Sequence, residues 1–549
     1  MSRRTGAAGS RAAACLLALV ALWSLATTAC TSLLVGRGAT ADGGTFVTYS
    51  CDGGVFAALR IEGEAVHPPG STATLFGDVS FFNDGVSPVV GSLPQVPLTY
   101  RYVDVLAGPS MMHIGGMNQH GVSIAETSLG GTRRELANSL GILAPFSACA
   151  ERSLMTLALQ RARSAREAIE VIGTLAEAYG YHSPFPIDGE QLSIGDGIET
   201  WTMEIFGPGP DWTPDSEEPG AVWCAQRIPD GHVGISANRS RIGEIDLADS
   251  DRFLASSNVF SLAEALGWWS PETGEAFRWS DAYAPDACRR CAIREWRAFD
   301  LVAPSLGLSP EDPLPFSVEP DRPLSTSDVM AIQRDLLAGT EFDVTADPSF
   351  VVDGERSPLA CPMCRWPLYD LVGVIPERTI NNARSSLSCL YQTRTDQLPE
   401  LIGCTWFGFG PAATTCYVPV YSGVTVLPAD WGSEDLATGD LSLPFWSMTL
   451  PGHLAAAQWQ DAYPVLCAVR DPAEEAFMEE QSVLAAVLAR LGDDGVDANQ
   501  YLNEYTLDRL LAVKEAFGDL ITRFLVDYYA GLGSFVRGPT PVVELPEFP

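Results

Sequence analysis

Alternating hydrophobic and polar positions mark short strands in the first half of the chain. Residues 31–35 (TSLLV) and 45–50 (TFVTYS) are β-rich runs, and residues 41–44 (ADGG) between them have the composition of a turn. Two such runs joined by a glycine-containing turn predict a β-hairpin. Further strands are predicted at residues 100–105, 122–126, 200–206, 221–225 and 232–236, and strands return at 401–426.

Apolar residues at a helical repeat occupy other segments. Residues 148–164 and 165–181 carry apolar side chains three and four positions apart, which predicts two consecutive helices. Residues 305–325 are rich in proline and predict a loop, whereas residues 474–529 are predicted to be mostly helical. Strands, then two helices, then strands again indicate sheets covered by helices.

The first 29 residues have the pattern of a secretory signal peptide. Several arginines precede an apolar run over residues 12–26, and the small residues Thr27 and Ala29 lie three and one places before Cys30. A signal anchor that stays in place is the alternative. No later run reaches the roughly 18 apolar residues of a membrane helix. We therefore expect a chain without a membrane span, destined through the secretory pathway for the exterior or a lytic compartment.

Composition and charge exclude several classes of function. The formal net charge is −35, whereas nucleic-acid binding needs a basic face, so no nucleic-acid partner is expected. The six histidines form no H-E-x-x-H pair, which excludes a zincin-type metalloprotease. No G-x-S-x-G motif is present, so the sequence lacks a serine-hydrolase nucleophile elbow.

Cys30 becomes the first residue of the chain if the signal peptide is cleaved where predicted. Two interpretations of this cysteine are possible, and they exclude each other. In a bacterial lipoprotein this cysteine would be lipidated, but Thr27 stands where such signals usually carry leucine. In an N-terminal nucleophile, the cysteine holds both a thiol and a free α-amino group, whose unperturbed pKa is about 8. That amine can take the thiol proton during attack, without help from a histidine.

A series of short motifs continues from Cys30 to about residue 450. The start reads C-T-S-L-L-V-G, then A-T-A-D-G, then a second strand that ends at Asp52. Further blocks are PQVP at 94–97, GMNQHGV at 116–122, IAET at 124–127, RIPDG at 227–231, ANR at 237–239 and DAYAP at 281–285. In this order the motifs resemble the PepD-like dipeptidases, a cysteine-peptidase family of the N-terminal-nucleophile (Ntn) hydrolases that is related to the secernins.

The resemblance implies an active site, residue by residue. Cys30 is implied as the nucleophile that forms a thioester, with its own α-amine as the base. Asp52 is implied to orient that amine, with a turn-capping carboxylate as the alternative. Asn238 is implied as an oxyanion donor, although Asn238 also begins a glycosylation sequon. The remaining implied substrate contacts are the backbone at Thr127, Ser128 and Leu129, and the side chain of Arg241.

The chain departs from the resemblance at Tyr49. Related enzymes carry an arginine three residues before the aspartate, and this chain has Tyr49 there. Arg239 and Arg241 are the candidates to supply a positive charge, which would lower the thiol pKa. Without such a charge, weakened activity or an altered substrate is expected. Asn118 and Glu126 also match family residues, with turn or core-polar roles as equal alternatives.

The 13 cysteines leave two chemistries open. The C-x-x-C segments at 288–291 and 361–364 have the spacing of a four-thiolate zinc site, but a secreted chain favours disulfides, with crossed pairing between the two segments. Cys404 and Cys416 flank a hairpin-like turn and could also pair. Neither a metal nor another cofactor is expected, and Cys51 is the candidate free thiol.

Expectations for fold and function follow from the resemblance. It implies an α+β fold, the four-layer αββα sandwich of Ntn hydrolases, with a helical C-terminal extension. The expected parts are a removed signal peptide at 1–29, the hydrolase domain at 30–450, and a mainly helical extension packed on it at 451–549. The implied function is a secreted cysteine-type dipeptidase whose partner is a dipeptide substrate. The alternatives are an Ntn acylase acting on a non-peptide amide, and a weakened homologue that binds without hydrolysing.

Overall fold

The structure is a computed structural model that describes most of the chain after residue 29. The described residues are 30–53, 55–76, 88–108, 110–137, 140–182, 189–285, 288–363, 373–374, 376–433, 436–529, 540–546 and 548. The predicted signal peptide at 1–29 and Cys364 of the second C-x-x-C segment lie outside them. Within these ranges, no helix combines the length and apolarity that crossing a membrane requires.

The described residues form 21 strands, numbered in chain order. They are β1 Ser32–Val35, β2 Thr45–Asp52, β3 Ala57–Glu62, β4 Ala65–Val66, β5 Thr72–Phe76, β6 Val89–Pro94, β7 Leu98–Thr99, β8 Tyr102–Ala107, β9 Met112–Asn118, β10 Ser123–Leu129, β11 Gly189–Gly195, β12 Thr200–Phe206, β13 Val222–Ile228, β14 Val233–Ser236, β15 Phe253–Ala255, β16 Ser317–Val318, β17 Val351–Val352, β18 Glu355–Arg356, β19 Ser385–Thr393, β20 Gly403–Phe409 and β21 Val418–Tyr421. Each strand predicted before residue 240 overlaps one of these.

The same ranges contain nine α-helices. They are α1 Leu154–Leu159, α2 Ala165–Tyr179, α3 Ser261–Ala265, α4 Trp279–Tyr283, α5 Arg289–Val302, α6 Thr326–Gln333, α7 Pro444–Ala455, α8 Trp459–Asp493 and α9 Ala498–Phe524.

Two large antiparallel sheets organise the chain. One has the strand order β16-β14-β1-β2-β19-β20-β21, and the other has the order β15-β13-β12-β11-β10-β9-β8-β3. Strands β1 and β2 of the first sheet contact β10, β11 and β12 of the second. Helices α1 and α2 contact the second sheet, whereas α5 and α7–α9 contact the first. The predicted combination of sheets with covering helices is confirmed.

The predicted hairpin is present at the start of the described chain. Strand β1 pairs antiparallel with β2, and Leu34 lies opposite Val47. On its other side β1 pairs with β14, and β2 pairs with β19, so the hairpin lies inside its sheet and not at an edge. Both strands are buried along their whole length, which explains their nearly continuous apolar and β-branched sequence.

The helix predicted at 148–164 is much shorter in the structure, where α1 covers only Leu154–Leu159. Ser153 begins it as a cap, since its hydroxyl accepts a hydrogen bond from the amide of Thr156 at 3.3 Å. Asn118 holds its other end, since Nδ2 donates to two carbonyls there, each at 2.8 Å. These side-chain bonds satisfy backbone groups that a longer helix would have paired internally.

The C-terminal helical region begins earlier than the predicted residue 474. It starts at Pro444, and prolines at 451, 464 and 472 lie inside α7 and α8. Proline normally ends or kinks a helix. The prolines therefore explain why the sequence did not predict a helix before residue 474. A single hydrophobic cluster reaches from Cys30 through both sheets to Phe524 of α9.

The cysteine pairing in the structure differs from two pairings that the sequence suggested. Cys288 and Cys291 are bonded to each other in this structure, which is neither the crossed pairing between the C-x-x-C segments nor the four-thiolate zinc site of the sequence alternatives. Cys404 and Cys416 are both free and buried, so they do not pair across the turn. Cys51 is also free.

Candidate active site

Regular strand pairing holds Cys30 in the interior. It lies immediately before β1, and the next residue, Thr31, exchanges backbone hydrogen bonds with Ser50 of β2, at 3.4 and 3.0 Å. Cys30 is only 4% exposed. The thiol is therefore positioned by the hairpin and not by a flexible terminus.

A buried carboxylate lies beside this thiol. The Cys30 Sγ is 3.3 Å from Oε1 of Glu126 in β10, and 4.0 Å from the Tyr49 hydroxyl. Tyr49 donates a hydrogen bond to the same Glu126 oxygen. The pKa of the Cys30 thiol is well above its ordinary value, because of its hydrogen bond with Cys51, its burial and the negative charge of Glu126. These contacts favour the neutral thiol in the uncut chain, where the Cys30 nitrogen is a peptide amide.

Arg294 joins the segment around Cys30 to the segment around Asn238. This residue of α5 is fully buried, and its guanidinium donates to the Cys30 carbonyl at 2.8 Å and to the Thr31 hydroxyl at 2.8 Å. It also donates to the Ala237 carbonyl at 2.7 Å and to Oδ1 of Asn238 at 2.9 Å. Burial lowers the pKa of Arg294 to about 9. The four hydrogen bonds offset part of the cost of burying a cation there.

Asn238 lies next to this arginine in a left-handed backbone conformation, with φ at 69°. Its Oδ1 accepts the hydrogen bond from Arg294, so the oxygen of the amide faces the arginine and the nitrogen faces the other side. Its Nδ2 donates to the carbonyl of Ser128 at 2.9 Å. An amide nitrogen carries two hydrogens, so this contact uses one of them and leaves the other available.

Asp52 ends β2 and is buried. Its carboxylate forms an ion pair with Arg378 and accepts a hydrogen bond from the Ser385 hydroxyl at 2.5 Å. Burial raises the pKa of Asp52, and the positive charge of Arg378 and the bond from Ser385 oppose that rise. Asp52 lies close enough to Cys30 for its charge to raise the thiol pKa. The described partners of the Asp52 carboxylate therefore include a guanidinium and a hydroxyl.

The implied substrate contacts of β10 have different surroundings. Thr127 is buried, and its hydroxyl hydrogen-bonds the hydroxyl of Ser236. Ser128 offers its carbonyl to Asn238. Leu129 belongs to a second hydrophobic cluster with aromatic residues of α4. The structure therefore brings Ser128 and Asn238 together, whereas the side chains of Thr127 and Leu129 have other partners.

The arginines proposed to replace the family arginine are already paired. Arg239 and Arg241 both form ion pairs with the buried Glu295, and Arg241 also donates to the Pro315 carbonyl. Burial lowers the pKa of Arg241, and the charge of Glu295 opposes this. Neither Arg239 nor Arg241 is a hydrogen-bond partner of the Cys30 thiol in the described residues, so the expectation that one of them supplies its charge stays a prediction. The cation that contacts Cys30 is Arg294.

Comparison with protein families decides the identity of the chain. The model for "Peptidase family C69" matches residues 29–469, which is most of the chain. The chain belongs to Peptidase family C69. This is a family of cysteine Ntn-type dipeptidases, so the resemblance stated from the motifs is confirmed.

Named relatives of this C69 chain are dipeptidases. Dipeptidase A of Lactobacillus helveticus is 24% identical over 90% of this chain and 94% of its own length. Probable dipeptidase B of Lactococcus lactis subsp. lactis (strain IL1403) is 25% identical over 73% of this chain and 76% of its own. A probable dipeptidase of Latilactobacillus sakei is 26% identical over 72% and 74%. The family and these relatives support a peptidase function.

Among solved structures, a mutant of conjugated bile acid hydrolase from Clostridium perfringens matches with a TM-score of 0.21 and 12% identity. The match covers 43% of this chain and 56% of that one. A likeness this weak carries no argument about this C69 chain.

The sequence motifs missed two cationic residues of the site. Arg294 and Arg378 lie outside every motif quoted for the resemblance, and 264 and 326 positions separate them from Cys30 and Asp52. Arg294 did carry a local signal. It lies three residues after Cys291 and four before Ala298, both buried, so a charge stands on the apolar face of α5. Such a charge needs a buried partner.

Proposed function

We propose that this C69 protein is a cysteine-type dipeptidase that uses Cys30 as an N-terminal nucleophile. One observation carries the proposal. The buried Cys30 thiol lies at the predicted processing point, beside Glu126 and Tyr49, with its carbonyl held by Arg294.

Processing would make the base. Removal of residues 1–29 would convert the Cys30 amide into an α-amine, whose pKa of about 8 leaves a useful neutral fraction near pH 7. That amine can take the thiol proton as sulfur attacks. Glu126 and the burial of Cys30 raise the thiol pKa, so such a base is needed. Asp52, beside Arg378, is the proposed residue that orients the amine.

Attack forms a bond from sulfur to the peptide carbonyl carbon and places negative charge on its oxygen. The second hydrogen of the Asn238 amide is the proposed donor to that oxygen, since Arg294 and Ser128 already fix the amide. The backbone at Thr127, Ser128 and Leu129 is the second proposed contributor, and Arg241 remains a proposed substrate contact. Collapse breaks the carbon–nitrogen bond, and the protonated Cys30 amine gives its proton to the leaving nitrogen, so that the second residue departs as an amine. The thioester that remains is then hydrolysed by water.

The proposal extends to the fold, the domain boundaries and the signal-like segment of the chain. We place the two sheets and their helices in the αββα sandwich of Ntn hydrolases, which the sheet-to-sheet and helix-to-sheet contacts support. Residues 30–450 would form the hydrolase domain, and 451–549 the helical extension packed on it. The signal-like residues 1–29 would send the protein through the secretory pathway.

Replacement of Cys30 tests the mechanism. Cys30→Ala removes sulfur, and we expect dipeptide kcat to fall at least about 10³-fold while the protein stays folded. Cys149→Ala is the matched control, because Cys149 is also a free thiol but hydrogen-bonds Glu151 in another part of the chain. Intact-mass measurement and N-terminal sequencing should show a chain beginning at Cys30.

Full activity in Cys30→Ala would rule out the mechanism. An active protein that begins upstream of Cys30, or has an acylated Cys30 amine, would rule out the amine as base. A substrate panel decides the class of amide, because cleavage of N-acyl amino acids without cleavage of dipeptides would favour the acylase alternative. Tight dipeptide binding without hydrolysis would favour the binding-protein alternative.

A further inference from the structure

The carboxylate of Glu126 is only partly satisfied. Its Oε1 accepts from Tyr49 and lies 3.3 Å from the Cys30 thiol, whereas Oε2 has no hydrogen-bond partner in the part of the chain that the structure describes. Glu126 is 4% exposed. A buried carboxylate oxygen without a donor is costly, so this one calls for a positively charged or donating group from outside the chain.

The cations nearest to this site are engaged elsewhere. Arg294 donates to the Cys30 carbonyl and to Asn238, and Arg378 pairs with Asp52. Tyr49 gives Glu126 a neutral hydrogen-bond donor and no neutralising charge. The negative charge of Glu126 therefore faces the nucleophile with no cation among its hydrogen-bond partners in the described residues.

A dipeptide carries a cation, its α-ammonium group, close to the carbonyl carbon that the sulfur attacks. Its α-nitrogen is separated from the scissile carbonyl carbon by one Cα, which places the two atoms about 2.5 Å apart. Attack requires that carbon to lie about 3–3.5 Å from the sulfur. The α-nitrogen then lies within about 6 Å of the sulfur. Oε1 of Glu126 lies 3.3 Å from the same sulfur, so the ammonium and the carboxylate share the surroundings of the thiol.

We propose that Glu126 binds the free α-ammonium group of the substrate's first residue, and so restricts hydrolysis to the bond after that residue. This inference rests on the proposed function of Cys30. A protonated amine supplies the charge-assisted hydrogen bond that Oε2 lacks. An N-acyl group, or a further residue on the N-terminal side, places a neutral amide at the same point and leaves the buried carboxylate uncompensated. Glu126 and Tyr49 together thus distinguish a free N-terminus from a blocked one.

The test compares two substrates that differ only in N-terminal charge. Each processed enzyme is assayed with a dipeptide and with its N-acetyl derivative. For the wild type we expect kcat/KM to favour the free dipeptide by at least about 10-fold, and Glu126→Gln to remove most of that preference, chiefly through KM. Glu126→Asp keeps the charge and should keep part of the preference. Glu177→Gln is the control, because Glu177 also accepts from an aromatic donor, Trp223, but lies on α2.

A binding measurement separates this inference from the proposed function. Calorimetry on processed Cys30→Ala, with and without Glu126→Gln, measures affinity for the same two compounds in a protein that lacks the nucleophile. Weaker binding of the free dipeptide alone, upon Glu126→Gln, supports the inference even if the wild type hydrolyses nothing. Equal losses for both compounds would overturn it and assign Glu126 to the positioning of Cys30. An unchanged preference in folded Glu126→Gln would also overturn it.

Discussion

Buried charges at the active site differ in how completely their partners satisfy them. Arg294 donates six hydrogen bonds, to three carbonyls, a hydroxyl, a side-chain amide and a sulfur. Asp52 has both an ion pair and a hydroxyl donor. Glu126 has Tyr49 and the thiol on one oxygen and no partner in the described residues on the other. Satisfied groups hold the architecture, and the unsatisfied group is the one suited to bind a ligand.

Replacement of Arg294 should weaken both fold and activity. Arg294→Met leaves the Cys30 carbonyl and Oδ1 of Asn238 without their donor, and each orphaned acceptor costs about 1–3 kcal/mol. We expect a lower free energy of unfolding in urea and a lower kcat, because the amide of Asn238 loses its fixed orientation.

The control for Arg294 is an exposed arginine. Arg322→Met breaks an ion pair with Asp328 in which Arg322 is 66% exposed, and exposed pairs contribute little to stability. A free energy of unfolding for Arg294→Met equal to that of Arg322→Met would contradict the structural role. Recovery of kcat in Arg294→Lys would show that charge alone is sufficient.

Sequence motifs located Cys30, Asp52 and Asn238, because each lies in a short block that resembles the family. They could not show that Glu126 touches the thiol, since 96 positions separate the two residues and only the packing of β10 against β1 and β2 brings them together. The sequence also suggested that Arg239 or Arg241 supplies the positive charge that would lower the pKa of the Cys30 thiol. In the structure both arginines pair with Glu295, and neither is a hydrogen-bond partner of the Cys30 thiol in the described residues.

At the scale of elements, the local pattern of apolar and polar residues predicted whether a segment is a helix or a strand better than it predicted where the segment begins and ends. The β1–β2 hairpin follows from two β-rich runs and a turn, and the structure has it. The length of α1 does not follow from local pattern, because Asn118, from β9, ends the helix by taking its carbonyls. Prolines likewise lie inside α7 and α8, two helices that pack on the first sheet, and local pattern does not report that packing.

Adjacent strands β8 and β9 carry a pH-dependent link. Nδ1 of His113 lies 2.8 Å from Oδ2 of Asp104, and both are largely buried. Burial opposes the charged imidazolium, but the hydrogen bond and the negative charge of Asp104 outweigh it, so the pKa of His113 lies above 6.5. A raised native pKa means that the native state holds its proton more tightly. The stabilisation is therefore complete below about pH 6.5 and is lost as pH rises through the raised value.

His113→Gln should remove this dependence. We expect the variant to lose free energy of unfolding relative to the wild type near pH 5.5, and the difference to shrink as pH rises above 6.5. Urea unfolding at a series of pH values measures it. His67→Gln is the control, because its imidazole hydrogen-bonds the hydroxyl of Thr99 and, within the described ranges, no carboxylate. A deficit for His113→Gln that grows with pH would refute the assignment.

At the scale of the whole molecule, the helical C-terminus and the active site share one core. Phe517 of α9 and Cys30 belong to the same hydrophobic cluster, which also includes residues of both large sheets. The sequence predicted a C-terminal extension packed on the hydrolase domain. Its periodicity could not show how far the shared core extends, because that depends on which sheet face the helices cover.

A shared core predicts that the C-terminal helices and the active site unfold together. Phe517 is fully buried, so Phe517→Ala should lower the free energy of unfolding by about 3–5 kcal/mol. Leu511→Ala on the same helix is the matched control, because Leu511 is 45% exposed and its loss should change stability by less than about 0.5 kcal/mol. Helical circular dichroism and dipeptide hydrolysis, followed through the same urea series, should report one midpoint that falls in Phe517→Ala. If hydrolysis instead survived to higher urea than the helical signal, the C-terminal helices would be a separate unit, and the continuity of the core would not couple them to Cys30.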